Sequence, residues 1–284
     1  MIVITGASGQ LGRLVIQELL KTTPAAQIVA AVRNPEKAQD LAAQGVVVRQ
    51  ADYTQPASLV AAFEGAERVL LISSSAVGQR VPQHQAVIEA AQQAGVKLLA
   101  YTSLLHADRS PLGLAAEHLA TEALLAESGL PYVLLRNGWY TENYVGSASA
   151  AVAQGAVLGA AQDGRIASAA RADYAAAAAA VLVAPEQAGK VYVLAGDTSY
   201  SLTELAAEIA NQSGKPVVYQ DMPQAAYASA LESMGLPAGL AQMLADSDVG
   251  ASKGGLFDDS HQLSQLIGRP TTPLGESVKG ALAG

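Results

Sequence analysis

Cysteine is absent from the 284 residues. That excludes disulfides, a thiol nucleophile, cysteine-ligated zinc and iron–sulfur clusters together. Aromatic residues are scarce, with one Trp, two Phe and ten Tyr. Charge is scarce as well, at 15% of residues, and the balance is acidic, with 17 Lys and Arg against 25 Asp and Glu. A net charge of −8 argues against nucleic acid as a partner. No long apolar run occurs. Ala175 to Ala184 is the longest and is mostly alanine, about half of the ~20 residues a membrane span needs. Met1-Ile-Val-Ile-Thr5 begins apolar with no basic stretch before it, so no signal peptide is expected. These absences leave a cytoplasmic protein with no stable membrane anchor, in which half of the residues are apolar and a sizeable core can form.

What is present is an alternation. Ile2–Thr5, Gln27–Val32, Val46–Val48, Val69–Ile72, Lys97–Thr102 and Tyr132–Leu135 are short runs rich in Val, Ile and Leu, as strands buried on both faces are. Helical patterns separate them over Gln10–Lys21, Pro35–Gln44, Pro56–Phe63, Pro82–Ala94 and Leu112–Glu127. Strand–helix alternation predicts an α/β fold, a Rossmann-type doubly wound parallel sheet. Asn34-Pro35 reads as an N-cap followed by proline at the first helical position. Gly45, Gly95 and Gly129 stand where helices end on a left-handed residue. Ser201-Leu-Thr-Glu204 is a capping-box pattern.

After one more strand, Val191–Leu194, helices dominate: Leu202–Gln212, Gln224–Met234, Gly239–Ala245, His261–Leu266 and Pro273–Ala281. The expectation is a single unit over 1–284, with a doubly wound core over about 1–150 and a smaller, mainly helical C-terminal lobe, the candidate substrate lobe, over about 190–284. Asp173 is placed as the N-cap of the alanine-rich helix around 175–180.

The strongest chemical signal is Gly6-Ala-Ser-Gly9-Gln-Leu-Gly12, between the first strand and the first helix. Glycines let the backbone turn tightly and approach a pyrophosphate, and the helix start offers N–H groups and a positive dipole end. Gly6, Ala7, Ser8, Gly9, Gln10 and Leu11 are therefore the candidate cofactor turn. Selectivity is read at the end of the second strand, where NAD-specific sites carry an acid. Here Arg33 stands there, and a guanidinium suits a 2′-phosphate, so NADPH is the expected cofactor. Asp52 is open between an adenine contact and a loop-capping acid. Ser73, Ser74 and Ser75 follow the fourth strand at the carboxyl edge of the sheet, where ligands lie in open α/β folds.

None of the ten tyrosines has Lys four residues on, so the usual short-chain dehydrogenase proton relay is absent. Where that pair is expected, the chain reads Glu117-His118-Leu-Ala-Thr121-Glu122. His118 is a candidate proton donor, with packing or a neighbouring hydrogen bond as the plainer role. His84, His106 and His261 lack metal-ligand spacing, so no metal site is expected. Arg136-Asn-Gly138-Trp-Tyr140-Thr-Glu-Asn143-Tyr144 holds the single Trp and two tyrosines. It suggests either a flat ligand pocket or an aromatic lid over the core.

Ile4–Gly12, Val32-Arg-Asn-Pro35, Tyr101-Thr-Ser103, Leu135–Asn143, Arg171-Ala-Asp173-Tyr174, Ser252–Asp259 and Leu266–Pro270 together resemble the NmrA-like atypical short-chain dehydrogenases, most of all their quinone-reducing bacterial branch. Only Ser8 departs mildly from the pattern, where Thr is frequent. The resemblance implies NADPH held by the Gly6–Leu11 turn, Arg33, Ser73–Ser75 and the segment Gly138, Trp139, Tyr140, Thr141, Glu142 and Asn143. It also implies a small-molecule quinone near Tyr140 and Asn143.

Quinone chemistry fits the missing Tyr/Lys pair. The reduced quinone anion resembles a phenolate, whose pKa is near ~10, rather than an alkoxide. The expected activity is two-electron reduction of quinones to hydroquinones by direct hydride transfer without flavin. The Tyr140 O–H or the Asn143 amide then supplies a hydrogen bond to the carbonyl oxygen. The alternative is an NADP(H)-binding redox sensor of the NmrA type without turnover. A structural or assembly role is a third reading, since fold alone does not decide function. Oligomeric state is open between monomer and homodimer.

Overall fold

The computed structural model describes residues 1–283. The chain runs β1 (Ile2–Ile4), α1 (Gln10–Leu20), β2 (Ile28–Val32), α2 (Gln39–Ala43), β3 (Val47–Gln50), α3 (Pro56–Ala62), β4 (Arg68–Leu71), α4 (Arg80–Gln93), β5 (Leu98–Leu104), α5 (Ala115–Glu127) and β6 (Tyr132–Asn137). It continues through α6 (Glu142–Val145), α7 (Ala148–Gln154), β7 (Ala156–Gly159), α8 (Arg171–Val183), β8 (Val191–Leu194), α9 (Leu202–Ser213) and β9 (Val218–Asp221). The last helices are α10 (Gln224–Ser233), α11 (Ala238–Ser252), α12 (Gln262–Ile267) and α13 (Leu274–Ala283). The sheet order is β3-β2-β1-β4-β5-β6-β8. The pairs from β3 through to β6 are all parallel. Order reverses beside β1, where β2 lies on one side and β4 on the other, as in the doubly wound Rossmann arrangement.

Two compact units divide the residues. The first comprises Met1–Ala107, Ala116–Asn137 and Arg171–Tyr192. Its inner strands β2 and β5 are buried on both faces, which explains their near-continuous apolar runs, whereas the edge strand β3 is partly exposed. On one face Val3, Val29, Val69, Leu99 and Leu134 pack with Leu59 and Phe63 of the α3 region, Val87 and Ile88 of α4 and Leu125 of α5. Elsewhere in this unit α1 packs against α8, whose buried Ala175, Ala178 and Ala179 allow a close approach. Arg68 closes the far end of α8 by donating to the carbonyls of Leu182 and Ala184, both at 2.7 Å. Those carbonyls lie in the last turn of a helix, where the chain itself supplies no donor.

The predicted boundary chemistry holds. Asn34 accepts the Glu36 N–H at 2.9 Å ahead of Pro35, although the segment begins as a 3-10 turn, Pro35–Ala38, before α2. Gly45, Gly95 and Gly129 all have positive φ. Asp173, however, is not an N-cap: α8 starts at Arg171, and Asp173 is a fully buried residue of its first turn.

The second unit comprises Asp108–Ala115, Gly138–Ala170 and Val193–Gly284. It is not purely helical. β7 and β9 form a separate two-stranded parallel sheet, two strands that the sequence reading did not single out within its mainly helical lobe. β9 is Val-Tyr-Gln-Asp and mostly exposed, so it carries no buried-strand signature. α11 runs to Ser252 rather than ending at Ala245, because its C-terminal half holds buried Ser247, Asp248, Gly250 and Ala251. A Cβ on Gly250 or Gly255 would lie 2.6 Å from a Leu112 methyl, so both glycines make room for that side chain. Ser201 and Glu204 form the reciprocal capping box at the start of α9.

Candidate active site

In the first unit, the turn after β1 is built for close backbone approach. Gly6 has φ +59, a left-handed conformation that costs a side-chain-bearing residue energy. A Cβ on Gly12 would sit 2.7 Å from Gly6 O and from Ala7 Cα, so α1 packs on the turn only because that position is bare. Gly9 N-caps α1 with no side-chain cap hydrogen bond, and the first turn holds no acid. The helix start thus keeps its N–H groups and positive dipole end available for an anion. Below the turn, buried Thr5 donates to Leu70 O and accepts the Ile72 N–H, with the Tyr53 hydroxyl against both Thr5 Oγ1 and Ile72 O.

Arg33 follows β2 and is exposed, and its guanidinium has no hydrogen bond or ion pair among the described residues. Asp52 Oδ1 accepts both the N–H and the hydroxyl of Thr54, at 2.9 and 2.8 Å, which is a loop-closing role and holds its carboxyl below the usual range. Arg13 is a residue sequence reasoning did not single out. Its guanidinium reaches Ser8 O, Lys37 O and Asp40, tying the glycine turn to the segment after Arg33. An arginine one position past a glycine carries no local signal for such a brace.

The Ser73–Ser75 loop after β4 is held by α4. Ser74 donates its N–H to His84 Nε2 at 2.9 Å and its hydroxyl to Gln83 Oε1, and its carbonyl accepts from Arg80 Nε at 2.6 Å. Ser73 N–H donates to Thr102 Oγ1, while Ser73 Oγ is buried without a hydrogen-bond partner among the described residues.

His118 on α5 is buried, with Nδ1 2.7 Å from the Tyr101 hydroxyl. Burial pushes its imidazole down to about 3, so it is neutral in ordinary solution. One turn later Glu122 accepts from Ser103 Oγ and takes a two-pronged ion pair from Arg136, at 3.0 and 2.7 Å. Asn137, at the end of β6, also buries an Oδ1 without a partner among the described residues. Ser73 Oγ and Asn137 Oδ1 are thus two buried polar atoms at carboxyl ends of strands, where this sheet type takes its ligand. Together with the bare helix start and the unengaged Arg33, they fit a bound dinucleotide.

In the second unit, the segment Gly138–Tyr144 forms its own ladder. Thr141 donates its N–H to Ala169 O, and Ala169 donates back to Trp139 O. Trp139 is buried, Tyr140 half-buried and Asn143 exposed. Thr141 Oγ1, Ser168 Oγ and the Tyr200 hydroxyl form a buried chain at 2.8 and 2.6 Å. Tyr144 donates to Asp248 Oδ1 at 2.8 Å, and Asp248 Oδ2 accepts the Ala160 N–H at 2.9 Å. Glu142 lies in the single turn of α6. Of the predicted residues, Gly6–Leu11, Arg33, Ser73–Ser75 and His118 belong to the first unit and Gly138–Asn143 to the second. Among the described residues no group of three His, Asp or Glu could hold a metal, and no helix is long and apolar enough to cross a membrane.

A doubly wound parallel sheet whose first strand runs through a glycine turn into an uncapped helix defines a dinucleotide-binding protein of the Rossmann class. The family model for NAD(P)H-binding proteins matches residues 6–185. The chain belongs to that NAD(P)H-binding family, in its NmrA-like branch. It is 66% identical to quinone oxidoreductase 2 of Escherichia coli strain K12 over 98% of this chain and 97% of that protein. The crystal structure of the NADPH-dependent quinone oxidoreductase from Escherichia coli complexed with NADPH superposes with a TM-score of 0.97, covering 99% of this chain and all of that one. Triphenylmethane reductase of Citrobacter sp., complexed with NADP(H), is 42% identical with a TM-score of 0.95, over 99% and 100% of the two chains.

Proposed function

We propose that this protein is an NADPH-dependent quinone oxidoreductase that reduces quinones to hydroquinones in one two-electron step. The observation that carries the reading is the 66% identity, over nearly the whole of both chains, to quinone oxidoreductase 2 of Escherichia coli. The bare start of α1 and the unengaged Arg33 independently support its NADPH-binding half.

The residues divide the work as follows. The backbone of Gly6–Leu11 binds the pyrophosphate, Arg33 the 2′-phosphate, and the Ser73–Ser75 loop borders the dinucleotide. NADPH, when bound, supplies the hydride. Gly138–Asn143 provides the substrate side, with Trp139 fixing the backbone from inside. Tyr140 O–H or the Asn143 amide donates a hydrogen bond to the quinone carbonyl oxygen, where negative charge develops. His118 stays out of the proton path, because it is engaged with Tyr101 and neutral. We place the enzyme in the cytoplasm with small quinones as its substrates, and its acidic charge argues against nucleic acid as a partner.

The test is loss of NADPH absorbance on mixing the purified, flavin-free protein with a water-soluble quinone, with NADH as the paired control. Rapid, NADPH-selective oxidation is expected. Tight NADPH binding without quinone-dependent oxidation would overturn the reading and favour a redox sensor.

A further inference from the structure

The N–H, the hydroxyl proton and the carbonyl of Ser74 are all held by the first five residues of α4, and its Oγ also accepts the Ala76 N–H at 3.1 Å. The residues responsible are Arg80, Gln83 and His84, spaced i, i+3 and i+4 so that they share one helix face. The start of α4 is itself fixed from α5, where Glu117 Oε1 accepts the N–H groups of Gly78 and Arg80 at 3.0 and 3.3 Å.

The state of the His84 ring follows from its neighbours. Thr121 donates its only hydroxyl proton to Glu117 O at 2.9 Å, so toward His84 Nδ1, also at 2.9 Å, it accepts. Nδ1 therefore carries the ring proton. A backbone N–H only donates, so Nε2 is bare where it meets Ser74. Both bonds require the same neutral tautomer. A second ring proton would aim an N–H at the Ser74 N–H.

We propose that His84, with Gln83 and Arg80, is a positioning residue for the cofactor: it locks the Ser73–Ser75 loop in the conformation that receives NADPH. The proposal rests on reading that loop as part of the NADPH site. The titratable and charged groups around the ring are Arg80 on its own helix, Glu117 and His118 from α5, Tyr101 from β5 and Tyr53 from the loop after β3. Burial, reinforced by Arg80, pushes the imidazole down to about 4, so the required neutral form persists through the working pH range.

The experiment compares His84→Leu with His84→Gln in the full-length protein. It reads NADPH Kd by direct titration, KM and kcat with a water-soluble quinone, and folding by circular dichroism. Leu leaves the Ser74 N–H without an acceptor, whereas the Gln carbonyl can replace Nε2. For Leu, Kd and KM should rise about 10-fold with a smaller fall in kcat, while Gln should stay within about 3-fold of the parent. Gln83 is half-buried, so Gln83→Leu serves if His84→Leu does not fold, with a rise of about 5-fold expected. Folded Leu variants that bind NADPH as the parent does, or equal losses for Leu and Gln, overturn the positioning role alone. A parent protein that binds no NADPH overturns it together with the proposed function.

Discussion

Tyr144 and Asp248 stand 104 residues apart, and the phenol donates to the buried carboxylate at 2.8 Å. The second carboxylate oxygen receives the Ala160 N–H at 2.9 Å. One acid on α11 therefore holds both the end of the Trp139–Tyr144 segment and the exit of β7. Both donors favour the charged form, yet burial outweighs them and pushes Asp248 up to about 6, with Asp221 adding to the rise.

That raised value sets the sign of a pH effect on stability. The folded protein binds this proton more tightly than the unfolded chain, whose value is near 3.8. The contribution is thus fully present below about pH 4 and is lost as pH rises through about 6. A shift of this size corresponds to on the order of 3 kcal/mol at neutral pH. Asp248→Asn has no such titration and can still accept from Ala160 while donating to Tyr144. Its Tm should match or exceed the parent's at pH 7 and lose the Asp248-linked fall between pH 4 and 6. An identical pH dependence of Tm in the two proteins would rule this out.

Gly12 tests the glycine turn on a different principle. Its missing Cβ leaves room for Gly6 O and Ala7 Cα, both backbone atoms that cannot rotate away. Gly12→Ala should push α1 off the turn at a cost of about 1–3 kcal/mol. NADPH affinity should fall with it, because the helix start no longer lies against the turn. Gly9→Ala meets only Gly6 O, at 3.2 Å, and should be milder. Equal Tm and equal NADPH titration for both alanine variants would refute the packing argument.

The parallel sheet was legible because its inner strands are buried on both faces, so Ile28–Val32 and Leu98–Leu104 announce themselves as apolar runs. The glycine turn and the Ser201 box were legible because their chemistry is local. β7 and β9 were not, since four residues are too few to show a period and Val-Tyr-Gln-Asp of β9 is mostly exposed. Asp173 looked like a cap because an acid early in a helix suits either a cap or the first turn, and sequence does not fix which. Arg13, His84 and Asp248 act through partners up to 104 residues away, or by filling a ring's two acceptor and donor positions. No motif encodes such pairings, so these braces emerge only from the folded chain.

Glu122 and Arg136 offer a stability test inside the first unit. The ion pair is two-pronged, and both side chains are buried, at 9% and 14% exposed. Ser103 donates to the same carboxylate. Glu122→Ala removes the acceptor of two charged hydrogen bonds and of the Ser103 hydroxyl, which costs about 1–3 kcal/mol. Glu122→Gln keeps an acceptor for Ser103 and should lose less. Denaturant unfolding should show the midpoint falling in the order parent, Gln, Ala. An alanine variant as stable as the parent would show that the pair contributes nothing net.

Arg33 is where the proposed preference for NADPH is put to the test. Its guanidinium is exposed and makes no hydrogen bond or ion pair among the described residues, so no internal hydrogen bond is lost when it changes. Hydrogen bonds to a charged group contribute about 1.5–3 kcal/mol, which is roughly 10- to 150-fold in affinity. Arg33→Ala should raise the KM for NADPH by about that factor and leave the KM for NADH nearly unchanged, because NADH has no 2′-phosphate. Arg33→Asp should go further, repelling the phosphate and offering an acceptor to the ribose 2′-hydroxyl, so that NADH becomes the better reductant. The parent's advantage for NADPH should also shrink with rising salt, as expected for an exposed charge. If Arg33→Ala weakened both dinucleotides equally, the arginine would be shaping the loop rather than reading the phosphate.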